Sequence, residues 1–223
     1  EATYDNVVEQ LTRQYDGYRF TPSKGFAPIY NPFSVLSALD KLRFGDYWFA
    51  SGTPTFLVEI LKKTDFDLRE LDGIEVSSAS LSDDRANISN PIPLIYQSGY
   101  LTIKSYDQRF RVYILGFPNE EVKYGFLNFA APFYTPVSST DTSFYIGKFV
   151  HELETGDVDA FLTRLNCFFA DFPYELNSKT ERHYQVVFYL VFKLMGQFTQ
   201  AEVRTAIGRA DAVVKTADYI YVF

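Results

Sequence analysis

The residue with the clearest chemical potential is Asp211, a carboxylate inside the otherwise apolar run Ala210 to Val214 that reads as a β-strand. A carboxylate in that setting loses hydration, which a hydrogen-bond donor, a cation or a proton must replace. On spacing alone the simplest accounts are an ion pair with Arg209 or Arg204, or a partly exposed strand end.

The neighbouring elements must position this group. Thr180 is placed as a helix N-cap, and Tyr184, Val187, Phe188, Val191, Phe192 and Met195 recur at three- and four-residue spacing until Gly196, which predicts a helix buried on most sides. Thr199 to Ala206 and Ala210 to Val214 read as two strands joined at Gly208. A turn at Lys215-Thr216-Ala217-Asp218 leads into Tyr219-Ile220-Tyr221-Val222-Phe223, the start of a third strand. The chain stops in mid-strand and begins without a methionine, so the expectation is an internal segment of a longer protein.

The order Glu181 in a helix, then Gly208-Arg209-Ala210-Asp211, then Asp218-Tyr219-Ile220-Tyr221-Val222-Phe223 resembles the PD-(D/E)XK nuclease domain attached to AAA-ATPase-like proteins. In that family the Gly-Arg-x-Asp strand is followed by a strand ending in Glu-x-Lys, which would come directly after Phe223. The resemblance implies that Asp211 ligates magnesium, that Glu181 assists metal or water binding, and that Arg209 contacts phosphate. It implies a nucleic-acid partner as well. Phosphodiester hydrolysis of this type needs a divalent cation on oxygen ligands, a lowered water pKa and charge stabilisation at phosphorus. One aspartate is a poor cage, so the chain by itself is expected to be inactive.

Composition bounds the alternatives. The 223 residues are 47% hydrophobic and 18% aromatic, enough for a substantial core and no sign of disorder. A net charge of -7 argues against a stand-alone electrostatic DNA binder. Cys167 is the only cysteine, which excludes an intrachain disulfide; its apolar neighbours read it as a small core residue. His151 and His183 supply no zinc set, and His183 reads as a helix-surface residue. No apolar run is long enough to cross a membrane, and a reducing, cytoplasmic setting is expected.

Toward the N-terminus, residues 4 to 15 predict an amphipathic helix through Val7, Val8, Leu11 and Tyr15, stopped at Asp16-Gly17. Asn31-Pro32 starts another helix, with Val35, Leu36, Leu39 and Leu42 as its apolar stripe. Thr53-Pro54 repeats the device, with Phe56, Leu57, Ile60 and Leu61 inward. Tyr15-Asp16-Gly17-Tyr18, Tyr30-Asn31-Pro32-Phe33-Ser34-Val35-Leu36 and Tyr47-Trp48-Phe49-Ala50-Ser51-Gly52 together resemble the region after the nucleotide-binding core of AAA-ATPase-like proteins. That implies an upstream ATPase domain as a partner. This chain holds no ATP site, because Gly147-Lys148 has Thr142 and Phe149 where a phosphate loop needs glycine and a hydroxyl residue.

Further on, Ser77 to Asn90 reads as an exposed loop or hinge, and Asn90-Pro91 opens a short helix ending at Ser98-Gly99. Tyr100 to Ile103 and Arg109 to Leu115 form a hairpin around Tyr106-Asp107, before a helix through Val122, Phe126 and Phe129. This is the outline of a winged helix. Its charges, Lys104, Arg109, Arg111 and Lys123 against Asp107, Glu120 and Glu121, nearly cancel, which favours a protein-docking or spacer role over DNA reading, while a basic tip at Arg109 and Arg111 keeps DNA contact open. Two helices follow a polar break: one through Ile146, Phe149, Val150 and Leu153, and one capped by Asp157 with Phe161, Leu162, Leu165, Phe168 and Phe169 inward.

The reading is an α+β, mainly helical chain: a helical, winged-helix-like region over 1–135, a helical connector over 136–173 and the start of a PD-(D/E)XK α/β domain over 174–223. The alternative is a non-catalytic protein-interaction or adaptor module. The aromatic strand at Tyr219 to Phe223 is expected either to self-associate or to be misplaced.

Overall fold

The computed structural model describes residues 4–23, 25–52, 55–63, 66–81, 90–135, 137–138, 141–170, 181–206 and 209–223. Thr53-Pro54, Thr180 and Gly208 lie outside these, and only the backbone is described at Phe168, His183, Arg204, Arg209 and Asp211. The architecture is α+β and mainly helical, as the sequence pattern implies. Two compact units, Glu1–Phe126 and Leu127–Phe223, meet in sequence within the helix Glu120–Tyr134.

The first unit runs α1 (Tyr4–Tyr15), α2 (Pro32–Lys41), α3 (Tyr47–Ser51), α4 (Thr55–Lys63), a 3₁₀ turn (Leu68–Leu71), β1 (Ile74–Ser77), α5 (Ser78–Leu81), α6 (Ile92–Gln97), β2 (Thr102–Asp107), β3 (Val112–Gly116) and the beginning of α7 (Glu120–Tyr134). The three strands form an antiparallel sheet in the order β1-β3-β2, with Ile74 opposite Leu115 and Tyr106 opposite Tyr113. β1 was not legible as a strand: its four residues alternate inward and outward over too short a span. The hairpin turn also falls later than the pattern implies, at 108–111, because Asp107 Oδ1 accepts from the N–H groups of Arg109 (2.8 Å) and Phe110 (3.0 Å). Of the loop expected from Ser77, residues Ser78–Leu81 instead form α5.

The buried face of a helix here is not always its bulkiest one. On α2 the buried positions are Ser34 and Ala38, while Leu36, Leu39 and Leu42 are 67%, 54% and 89% exposed, so the expected stripe is on the outside. Ser34 explains this, since its hydroxyl donates to Glu121 Oε2 at 2.7 Å and draws the small-residue face against α7. On α4, Leu57 and Leu61 are fully buried as expected, whereas Phe56 is half exposed.

Glu121 is the polar centre of this unit. It is fully buried, accepts from Ser34 through one oxygen and from the N–H of Trp48 through the other at 2.7 Å. Trp48 lies in the first turn of α3, whose flanking Asp46 makes no side-chain cap bond, so a residue from α7 caps α3 across the fold. The remaining motif residues serve the same junction. Asn31 accepts from Phe33 and Ser34 N–H at the start of α2, and buried Tyr15 donates its hydroxyl to Gly45 carbonyl at 2.9 Å. Gly17, at φ +117°, lets its turn touch Pro118, where a Cβ would lie 2.1 Å from the carbonyl oxygen. Around Glu121 packs an aromatic cluster in which Tyr100 meets Trp48, Phe49 and Phe126 at ring-centroid distances of 5.3 Å, 5.9 Å and 5.6 Å.

Burial raises the Glu121 pKa, opposed by its hydrogen bonds from Ser34 and Trp48. The folded state thus binds this proton more tightly than the unfolded state. Its effect on stability is most favourable below the unfolded glutamate value and is lost as pH rises through the raised folded value. Thermal unfolding across acidic to neutral pH should show this slope, and Glu121→Gln should remove it, its one carbonyl oxygen still accepting from Trp48 N–H while its amide NH2 donates to the Ser34 hydroxyl. Glu121→Ala should cost roughly 2–4 kcal/mol by leaving the Trp48 N–H and Ser34 hydroxyl without a partner and opening a cavity.

Candidate functional site

The second unit continues from α7 through α8 (Thr142–Glu154), α9 (Val158–Ala170), α10 (Glu181–Met195), β4 (Gln200–Ala206), β5 (Arg209–Lys215) and β6 (Ile220–Val222). Its sheet is an antiparallel meander in the order β4-β5-β6. The helix, two strands and third strand read from the sequence are all present.

From Val186 onward α10 is mostly buried, through Val187, Leu190, Phe192 and Met195, while Tyr184 in its first turns is 39% exposed; the helix packs on α8, β4 and β5. Phe161 of α9 sits at the centre of an aromatic cluster with Phe149, Phe192 and Phe223, its ring 5.4 Å, 6.1 Å and 5.1 Å from theirs. Asp157 caps α9 through the N–H of Ala160. The buried carboxylate Glu152 is met by Arg164 Nε at 2.6 Å, which ties α8 to α9.

Two readings on α9 need correction. Cys167 is exposed and is not a core residue. It lies six positions after buried Phe161, about 240° round the helix, on the far face. Leu162 is also 41% exposed, for the same geometric reason: the inward face is carried by Phe161 and Leu165.

After α10 the chain reverses in a compact turn in which the N–H groups of Gly196, Gln197 and Phe198 donate to the carbonyls of Lys193, Leu194 and Met195. β4 follows and packs on α10. Glu181, in the first turn of α10, is exposed, with Gln185 Nε2 donating to its Oε1 at 3.1 Å.

In the ladder Arg204 is the cross-strand partner of Asp211, and Ala206 of Arg209. The structure thus puts Asp211 and Arg204 in register, one of the two ion-pair partners that spacing allows. Ala212 and Val214 are fully buried and fix the inward face of β5. β6 is in register on β5, with Val213 opposite Val222 and Val214 opposite Tyr221, so the terminal strand is not misplaced. Ala212 and Phe223 exchange both backbone hydrogen bonds, at 3.1 Å and 2.9 Å. Tyr221 hydroxyl anchors the strand to Leu153 carbonyl at 2.8 Å, and Tyr219 packs on Gly156, which has φ +78°. Ile220 and Val222 stay outside, 69% and 74% exposed.

Among the described residues no three His, Cys, Asp or Glu side chains come together as a metal-binding group, and no helix is long and apolar enough to cross a membrane. Lys148 is exposed over Phe144, in keeping with a solvated helix residue.

A family model described as the PD-(D/E)XK nuclease superfamily matches residues 179–223, the span from the start of α10 to the end of β6. This segment therefore has a nuclease-type superfamily match, and its helix-plus-meander is consistent with it. The chain is also similar to an uncharacterized protein in the vnfD 5′ region of Azotobacter chroococcum mcd 1, with 30% identity over 223 aligned residues covering 96% of this chain and 42% of the relative. The chain spans about two fifths of the length of that curated relative. No solved structure matches it.

Proposed function

We propose that this chain carries the first half of a metal-dependent phosphodiesterase site in a protein of the AAA-ATPase-like type, with nucleic acid as substrate. The observation that carries the proposal is the β5–β6 register. Because Ala212 pairs with Phe223, a residue following Phe223 in the same ladder would stand opposite Asp211. The acid of the Glu-x-Lys pair that the family resemblance puts after Phe223 would then be the cross-strand partner of Asp211, the distance at which two carboxylates can share one cation.

Magnesium takes an octahedral set of oxygens, and the described residues assemble no such set. No catalytic step through the ion is derived from this chain by itself. When bound in such sites the ion neutralises developing charge and acidifies water. In our reading Asp211 is its protein ligand, Arg209 a phosphate contact, and Glu181 a supporting acid held in orientation by Gln185. Three expectations follow for protein extended past Phe223: the added residues read Glu-x-Lys, manganese- or magnesium-dependent cleavage of DNA or RNA appears, and Asp211→Ala abolishes it. Glu181→Ala should lower the rate about 10–100-fold, the range for a group acting through a ligand. Cleavage unaffected by Asp211→Ala would remove the assignment.

The second reading, an interaction module, is favoured by the exposed apolar stripe of α2, Phe33, Leu36, Leu39 and Leu42. Its occupant in our reading is the nucleotide-binding core that the resemblance puts upstream. Leu36→Lys with Leu39→Lys should then change the stability of this chain by less than about 0.5 kcal/mol. The same pair should abolish its capture of the separately expressed core in a pull-down; undiminished capture would exclude the stripe.

A further inference from the structure

We propose that the tip of the β2–β3 hairpin, Arg109-Phe110-Arg111, is a contact for single-stranded nucleic acid, with the Phe110 ring stacking on a base and the two guanidinium groups meeting phosphates. The inference rests on the nucleic-acid partner proposed above and adds a binding site separate from Asp211.

Phe110 is 66% exposed at the end of the hairpin, where a large ring gains nothing for the fold. Its position is nevertheless fixed. Asp107 Oδ1 holds the N–H groups of Arg109 and Phe110, and Ser78 donates to Arg111 carbonyl from its N–H at 3.3 Å and its hydroxyl at 3.1 Å. Below the tip, the Tyr106 and Tyr113 rings pack across the two strands, tilted by 38° with centroids 4.6 Å apart, and stiffen the strand ends. A ring displayed on a rigid tip loses little conformational freedom on binding.

The cations complete the case. Arg109 lies 4.9 Å from the Phe110 ring, and no described ion pair uses the guanidinium of Arg109 or Arg111. Arg111 has φ +55°, a left-handed conformation that glycine or asparagine would adopt more cheaply. An arginine held there at a backbone cost, beside a displayed aromatic and a second arginine, is suited to stacking with phosphate contact. A protein partner fits less well, since one ring on a four-residue turn offers little of the roughly 800 Å² per side that a stable protein interface buries. The net charge of -7 keeps the contact weak and salt-sensitive.

The test is fluorescence anisotropy of a labelled oligothymidylate with the 223-residue chain across a salt series. Binding should be detectable at low salt. Arg109→Ala with Arg111→Ala should reduce the slope of log affinity against log salt by about 1.4, two phosphates at about 0.7 each. Phe110→Ala should weaken binding roughly tenfold, whereas Phe110→Trp should keep it and show indole quenching above the constant Trp48 signal. Arg111→Gly separates fold from contact: the thermal midpoint should stay or rise while affinity falls. The proposal is overturned by absent binding at low salt, by tip variants that bind as tightly as the parent chain, or by polyglutamate displacing the oligonucleotide at equal charge, which would mark an acidic protein site. Because Asp211→Ala leaves the tip intact, loss of cleavage there is read independently, and failure of one proposal is distinguishable from failure of the other.

Discussion

Packing of α10 against α8 and the β4–β5 ladder is the constraint on which the second unit depends. Each fully buried aliphatic or aromatic side chain along α10 contributes roughly 1.5–3 kcal/mol relative to exposure. β5 packs on α10 and keeps Ala212 and Val214 fully buried. Because the side-chain period of a strand is two, that burial fixes the register of β5, and a slip by one residue would turn Ala212 and Val214 outward. With β5 fixed, β6 follows through the Ala212–Phe223 pair and the anchors of Tyr219 and Tyr221. The cross-strand position of Asp211 is therefore a consequence of core packing some distance from it.

The first unit has a different organising principle. There a buried carboxylate, Glu121, gathers a hydroxyl from α2 and a backbone N–H from α3 at the start of α7. The motif residues of this unit are largely the ones the junction uses: Tyr15 on Gly45, Gly17 under Pro118, Asn31 capping α2, Ser34 on the carboxylate. Their role in the structure is to bring helices together. That accounts for a strong sequence pattern without any chemistry in it.

Much of the fold was legible because its signals are local. Asn31-Pro32, Asp157 and Gly156 mark helix ends by hydrogen bonding and backbone conformation within a few residues. The three terminal strands and their turn were legible from alternation and composition. What failed depended on partners distant in sequence. Leu36 and Leu39 make a convincing apolar stripe, yet Ser34 and Ala38 are buried because Glu121 lies 87 residues beyond Ser34. Cys167 looked internal from its neighbours, though its angle to Phe161 sets it outside. For the site, Asp211 stood out as a charge in an apolar strand, and its alignment with Arg204 follows from the hairpin register. Phe110 gave no signal in sequence, since an exposed ring and a core ring are the same letter until the turn is known.

Manganese binding measured by titration calorimetry on protein extended past Phe223 tests directly whether Asp211 is a metal ligand. A saturable site is expected that Asp211→Asn removes and that Arg204→Ala leaves in place. A manganese affinity unchanged by Asp211→Asn would contradict that role, and would leave Asp211 as a structural partner of Arg204 in the β4–β5 ladder.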